Sequence, residues 1–299
     1  MLRGRSRGEK LFDWFNLGLL AILGFLFVYP FIYSLALSFN DGADAMKGGI
    51  YFIPRAFTLD NYRRAFYSTD VINAMFISIS RTVLTTTGAV LLSSMGAFAL
   101  SFKELPGRRS LNFFIFFSNI FGGGVIPTYV LYRTLGIVDT FWVFVFPGLY
   151  SFYNILIMRV FFQNSIPEGL RESALIDGAG LLRVYAQIYM PLAMPILATV
   201  GLFVAVAQWN AWFDGLYYVR NQKLLPLSSL LQKYVKELDY NMLNEERMTS
   251  EMEFRVKQTV TPESFKMAVL VITTAPIICV YPFLQKYFVK GVMIGSIKE

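Results

Sequence analysis

Residues 165–191 hold the cluster in this sequence whose residue types and spacing point to work on another molecule. Glu168, Arg171, Glu172 and Asp177 are interleaved with Leu170, Ala174 and Leu175, and Leu181 follows past the glycines Gly178 and Gly180. Polar and apolar residues at helical spacing describe a short amphipathic helix, with Leu170, Ala174, Leu175 and Leu181 as its apolar side and the four charged residues on the other. Such an element docks. Ser165 with Glu168 three residues on reads as a capping box and Pro167 as a first-turn proline, so a helix is expected to begin here. Gly178 or Gly180 is expected to end it in the left-handed conformation. Small Ser173 and Ala174 allow close approach to a partner, and Glu172 can pair with a basic group in the partner's cleft.

Covalent chemistry has little to work with. The chain contains no His, and Cys279 is its only cysteine. That removes the Ser-His and Cys-His nucleophile pairs, the usual proton shuttle and the commonest metal ligand, so no catalytic or metal site is expected. The phosphate-cradling pattern G-x-x-x-x-G-K-[ST] is also missing, and any ATP dependence has to come from a partner.

The elements that position the cluster are apolar. Of 299 residues, 55% are hydrophobic and 16% charged, against about a quarter charged in ordinary soluble domains. Six stretches, residues 14–39, 82–102, 110–132, 140–158, 184–213 and 267–285, carry no Asp, Glu, Lys or Arg at all. A bilayer core needs about 20 apolar residues per helix, so the expected fold is an all-α membrane protein with six transmembrane helices. The amphipathic helix then lies between helices 4 and 5, in a loop spanning 163–191. Arg3, Arg5, Arg7 and Lys10 precede a first stretch of 26 residues, longer than the ~7–15-residue core of a secretory signal, and it reads as a retained helix.

Six spans place both termini on one side. With the termini inside, the inner segments hold 13 Lys or Arg in 59 residues and the outer ones 14 in 102, as the positive-inside rule expects. The formal charge of +7 follows from this bias better than from nucleic-acid binding. Residues 1–13 and 286–299 are then cytoplasmic, residues 14–285 form the transmembrane domain, and the charged 214–266 segment lies in water outside. Gly122, Gly123, Gly124 and Pro127 interrupt the third stretch, Pro191 and Pro195 the fifth, and Pro276 and Pro282 the sixth. Each is either a break facing protein or water, or a simple proline bend. Arg81 falls at the outer edge of the second stretch and reads as a snorkelling side chain.

Glu172-Ser173-Ala174, three residues, Gly178, nine residues and Ile188-Tyr189-Met190-Pro191 resemble the E-A-A-x3-G-x9-I-x-L-P loop of permease subunits of binding-protein-dependent ABC importers. Ser173 and Met190 are the departures. Tyr29-Pro30-Phe31-Ile32-Tyr33-Ser34, Asn61-Tyr62 after Thr58, Ala97-Phe98-Ala99-Leu100-Ser101 and the tail from Gln285 to Lys298 resemble the maltose and multi-sugar branch. The resemblance implies that Glu172, Ser173, Ala174, Asp177, Gly178, Ile188 and Pro191 belong to a coupling loop seated in an ATPase subunit. It further implies that Gly295, Ser296 and Lys298 of the tail reach between two ATPases. The expected partners are a second permease, an ATPase dimer carrying ATP and Mg, an extracytoplasmic solute-binding protein, a carbohydrate and membrane lipid, with no nucleic acid and no cofactor in this chain. The expected location is a bacterial inner membrane.

A sugar pathway requires hydroxyl partners and aromatic faces among apolar walls. Tyr150, Asn154, Gln208, Trp209, Asn210 and Trp212 are the candidates for it, although Asn and Gln in spans also bond neighbouring helices and Trp favours the interface. A permease for a non-sugar solute and an ion-coupled secondary transporter are the alternatives. The second usually needs acids or His within the spans, and these stretches have neither.

Overall fold

The computed structural model describes residues 7–245 and 260–294. In chain order its helices are α1 (Arg7–Ser38), α2 (Gly42–Ala45), α3 (Asp60–Tyr67), α4 (Thr69–Ser101), α5 (Arg108–Ile120), α6 (Val125–Thr134), α7 (Trp142–Val145), α8 (Phe152–Ser165), α9 (Glu168–Ile176), α10 (Leu181–Val184), α11 (Met190–Leu192), α12 (Met194–Asn210), α13 (Phe213–Tyr218), α14 (Leu227–Glu245) and α15 (Pro262–Ile294). Among the described residues there is no strand, only one isolated antiparallel bridge between Asn40 and Phe57. Among the described residues, three helical stretches are long and apolar enough to cross a membrane by themselves: Gly8–Ser38, Thr69–Ser101 and Pro262–Val280.

Three further stretches of that quality are bent. Arg108–Ile120 and Val125–Thr134 meet at 115°, Trp142–Leu149 and Phe152–Ser165 at 41°, and Leu181–Leu192 and Met194–Asn210 at 80°. Each bend has a local cause. Phe121 leaves helical geometry and Gly124 takes φ +80°, so the run of glycines separates α5 from α6. Ser151 is extended, and its hydroxyl accepts the Asn154 N–H at 3.4 Å, restarting the chain as α8. Pro191 and Pro195 straddle Ala193, where neither proline can donate to the preceding turn. Ahead of Pro191 the chain widens into a π-helical turn over Tyr185–Tyr189, closed by the Met190 N–H on the Tyr185 carbonyl. By contrast, α15 runs through Pro276 and Pro282 without a break.

The chain divides into two compact units. In the one made of Thr69–Lys233 and the chain from Ala275, α4 is the central element. Ala89, Ala97 and Phe98 of α4, Met158 and Phe162 of α8, and Val200 and Val204 of α12 are buried together. Small residues on α4 permit the close helix approach that replaces the hydrophobic drive absent in lipid. Val184, Tyr189, Ala193 and Leu197 continue the same core through the π turn and the bend.

The other unit comprises the chain up to Ser68 and Tyr234–Thr274. Along most of its length α1 is apolar on all sides and exposed, as a lipid-facing helix is. Only near its end do Ala36 and Leu37 pack with Ala45 and Ile50. There Asn61 of α3 is fully buried, donates to the Ser38 and Asn40 carbonyls at 2.9 Å each, and accepts from the Ser264 hydroxyl at 2.8 Å. Every group on that amide is therefore satisfied across three segments. Nearby, Arg55 binds Asp44 through Nε at 2.9 Å and its carbonyl at 3.1 Å, holding the Asp44 carboxyl below its ordinary range.

Candidate functional site

The amphipathic segment forms a helix, α9, bounded differently from the expectation at its start. Ser165 is the last residue of α8, Ile166 is extended, and Pro167 occupies the N-cap with no side-chain hydrogen bond. The capping box is not formed because Ser165 is still committed to the preceding helix. Glu168 turns instead to Arg171, at 3.1 Å. The end is as the glycine demands. Gly178 lies at φ +81°, its N–H reaches the Leu175 carbonyl at 3.1 Å, and the Ala179 N–H reaches the Ala174 carbonyl at 2.9 Å. These two bonds make a Schellman motif. Gly180 is extended and starts α10.

Arg171 was expected on the polar side, and the structure turns it inward. Its side chain is 12% exposed, lies over the Phe102 ring with 4.8 Å to the centroid, and pairs with Glu168 and, at 3.7 Å, with Glu104. A planar guanidinium stacks on an aromatic face while its edges bond carboxylates, so it fastens α9 to the loop after α4 better than a leucine stripe alone. The Glu168 to Arg171 spacing and the Phe102/Glu104 pair were the signals available for it. Leu170, Leu175 and Leu181 remain partly exposed.

Facing solvent are Glu172, Ser173, Asp177 and Gly178, together with Ile176 at 86% and Leu182 at 75% exposure. The Ser173 hydroxyl bonds back to the Gly169 carbonyl at 2.8 Å, leaving a small, flat surface. Ala174 packs inward against the core, as does Ile188, while Pro191 is exposed. Beyond Gly180 the chain is tied directly into the membrane helices. The Tyr185 hydroxyl bonds Ser94 at 2.7 Å, and Tyr189 sits edge-on to both Phe98 and Phe162. The segment that follows α9 is thus joined to α4 and α8 by packed rings, not by a slack loop. The tail residues Gly295, Ser296 and Lys298 lie outside the described residues.

The six pathway candidates are engaged in separate contacts. The Tyr150 hydroxyl donates to the Ile115 carbonyl at 2.9 Å and lies 2.8 Å from Ser118 Oγ. Asn154 is buried, Asn210 bonds back to the Val206 carbonyl at 3.0 Å, and Trp212 stands edge-on to Phe213. Trp209 lines an apolar cleft of about 220 Å³ with Ile79, Val83, Leu202 and Ile277. Gln208 is taken up by Arg81.

Arg81 itself corrects the snorkelling expectation. Because α4 starts at Thr69, well before the charge-free stretch, Arg81 sits inside the helix and is 1% exposed. It donates to Gln208 Oε1 at 2.9 Å, the Ala211 carbonyl at 2.9 Å and Asp214 Oδ2 at 2.6 Å, with the Phe144 ring beneath it. The break between α12 and α13 is therefore pinned to α4 by a guanidinium with three partners. Among the described residues, no group of three or more His, Cys, Asp or Glu is placed to hold a metal ion.

Comparison with known proteins agrees with this architecture over nearly the whole chain. Polygalacturonan/rhamnogalacturonan transport system permease protein YtcP of Bacillus subtilis (strain 168) is 37% identical, with 97% of this chain and 99% of that protein covered. Protein LplC of the same organism is 36% identical over 98% and 97%. Among solved structures, the crystal structure of a bacterial ABC transporter involved in the import of the acidic polysaccharide alginate contains a chain with a TM-score of 0.85. That chain is 30% identical, with 96% of this chain and 99% of that chain covered. The family model described as binding-protein-dependent transport system inner membrane component matches residues 89–294, which include α9, its anchor and the helices it is packed against. The chain belongs to the family of binding-protein-dependent transport system inner membrane components.

Proposed function

We propose that the chain is a permease subunit of an ABC importer that carries a sugar or oligosaccharide inward, with α9 as its coupling helix. The observation that carries this reading is the exposed face of α9, held by a buried arginine and a Schellman turn against packed membrane helices. Counting each bent pair as one span gives six, with both termini and α9 on the cytoplasmic side. Residues 1–13 and 286–299 then flank a permease domain over 14–285. ATP and Mg belong to an ATPase dimer whose clefts receive Glu172, Ser173, Ala174, Asp177 and Gly178, and this chain makes no covalent bond. A second permease and a solute-binding protein complete the transporter. Gly295, Ser296 and Lys298 reach toward the ATPases, and Ile188 and Pro191 steer α9 from its membrane end.

The cargo reading takes its support from YtcP, named for polygalacturonan and rhamnogalacturonan transport, and from the importer of the acidic polysaccharide alginate. An acidic oligosaccharide is accordingly the first substrate to try. Tyr150, Asn154, Gln208, Trp209, Asn210 and Trp212 remain the candidates to meet it. The test is reconstitution with the ATPase and binding protein in vesicles and measurement of oligosaccharide-stimulated ATP hydrolysis. Oligogalacturonide is expected to stimulate, and Glu172→Lys to abolish the stimulation with expression unchanged. Full stimulation in Glu172→Lys would count against the docking role.

A further inference from the structure

Between the C-terminal ends of α4 and α8, the loop that follows α4, and α9 lies a cavity of about 490 Å³. It is far larger than the ~30 Å³ share of one water molecule. Unlike the apolar cleft beside Trp209, its walls are polar and basic. Lys103, Arg108, Asn164, Glu168 and Arg171 line it, together with Tyr189.

The charges around it do not balance. Glu168 is already bound to Arg171, whose other terminal nitrogen faces Glu104. Arg108 gives only its Nε, to the Leu100 carbonyl at 3.2 Å. Among the described residues, the terminal nitrogens of Arg108, the ammonium of Lys103 and the amide of Asn164 have no protein acceptor. Lys103, Arg108 and Arg171 thus stand against two carboxylates, both held by Arg171, so one positive charge is left in excess and two cations and a neutral donor face one concave space without an acceptor. A single carboxylate offers two oxygens in one plane to three separate donor groups. A phosphate group carries at least one full negative charge at neutral pH and spreads it over tetrahedrally placed oxygens, so it can accept from both cations and the amide at once.

We infer that this cavity binds a phosphate-bearing anion, held by Lys103 and Arg108 with Asn164 as an added donor. A phospholipid headgroup, a singly charged diester, and free inorganic phosphate share the phosphate oxygens that these donors would bind. A ligand seated here touches the loop after α4, the end of α8 and α9 together, so it stiffens α9 on the membrane helices from the side opposite its exposed face.

The test uses the full chain in nanodiscs and needs neither ATPase nor transport, so its failure is separate from any failure of the importer reading. In discs of phosphatidylcholine, thermal stability is measured with added inorganic phosphate against chloride at equal ionic strength, and the same discs are prepared with phosphatidylglycerol. A free-phosphate site predicts a melting shift with phosphate in phosphatidylcholine discs that persists in phosphatidylglycerol discs. A headgroup site predicts a shift on adding phosphatidylglycerol, after which phosphate adds nothing. Either result supports the site if Lys103→Gln/Arg108→Gln removes the response. Where the double variant does not fold, Lys103→Gln alone serves, since Lys103 is exposed and unpaired. Its apparent affinity is expected to fall about tenfold, the loss of one charge-assisted hydrogen bond. No shift with either ligand, or equal shifts in the variants, overturns the proposal.

Discussion

Arg81 and Asp214 stand 133 residues apart in the chain and 2.6 Å apart in space. The contact joins the middle of α4 to the start of α13, and the same guanidinium holds Gln208 and the Ala211 carbonyl. Asp214 keeps a third of its side chain in solvent while Arg81 has almost none. The two ends of the pair therefore differ in what their removal costs.

Arg81→Ala strands three acceptors and is expected to lose about 3–5 kcal/mol of stability, as broken buried pairs do. Asp214→Asn leaves Arg81 its other two partners and is expected to cost less than half as much. Arg81→Lys rescues little, because one ammonium does not reproduce a fork that reaches three acceptors. Melting of the purified variants in one detergent ranks them, and an Asp214→Asn loss equal to that of Arg81→Ala contradicts the asymmetry.

At α9, Arg171→Ala is expected to abolish substrate-stimulated ATP hydrolysis in the reconstituted transporter while the protein still assembles in the membrane. The helix keeps its exposed face and loses its stacking on Phe102 and its carboxylate partners. Glu104→Gln is expected to be nearly silent, since that pair is 3.7 Å long with an exposed acid, and such pairs contribute about 0–1 kcal/mol.

Gly178→Ala tests the turn alone. A Cβ at Gly178 meets nothing within 4 Å, so any cost comes from placing an L-residue at φ +81°, about 1–2 kcal/mol. Partial loss of coupling with a small drop in melting temperature is the expected outcome. An unchanged variant by both measures places the turn outside the transmission path.

Asn61→Leu removes the donors of two backbone carbonyls and the acceptor of Ser264. Each stranded buried group costs about 1–3 kcal/mol, so poor accumulation and a strongly lowered melting temperature are expected. Ser264→Ala, which leaves both carbonyls paired, should be markedly milder.

Acid should weaken the Asp44 to Arg55 contact. The carboxyl is held below its ordinary value of 3.8, chiefly by the Arg55 hydrogen bond. A depressed carboxyl stabilises the fold above its unfolded value, and this contribution is lost as pH falls through the folded value. Arg55→Gln should therefore be less stable than the parent at neutral pH, with the gap closing below about pH 4. A gap that widens in acid reverses the sign and rejects the assignment.

Much of this is legible in the sequence. A stretch without charges has one sensible environment, so the apolar helices followed from composition, and the Gly178 turn followed from a residue type with few other uses. Arg81 was misjudged because hydropathy marks where charges stop and not where a helix starts; the polar first turns of α4 belong to the same helix. Arg171 was misplaced for a related reason. Helical periodicity assigns a charge to the wet side, whereas a ring and two carboxylates supplied by the chain and its own preceding turn make the inner side the better one. Ser165 failed as a cap because α8 extends to it, and nothing local in its sequence marks that extension.

The wide turn over Tyr185–Tyr189 acts as a phase shifter. Each π turn holds one residue more than an α turn, which rotates everything downstream by about 100° relative to an uninterrupted helix. Buried positions accordingly step by five from Val184 to Tyr189 and only then by four to Ala193 and Leu197. A helical wheel drawn through this stretch as one regular cylinder puts half of it on the wrong face. Restoring ordinary pitch by deleting one residue within the turn would nearly keep the composition and scramble the seam between α9 and the membrane helices.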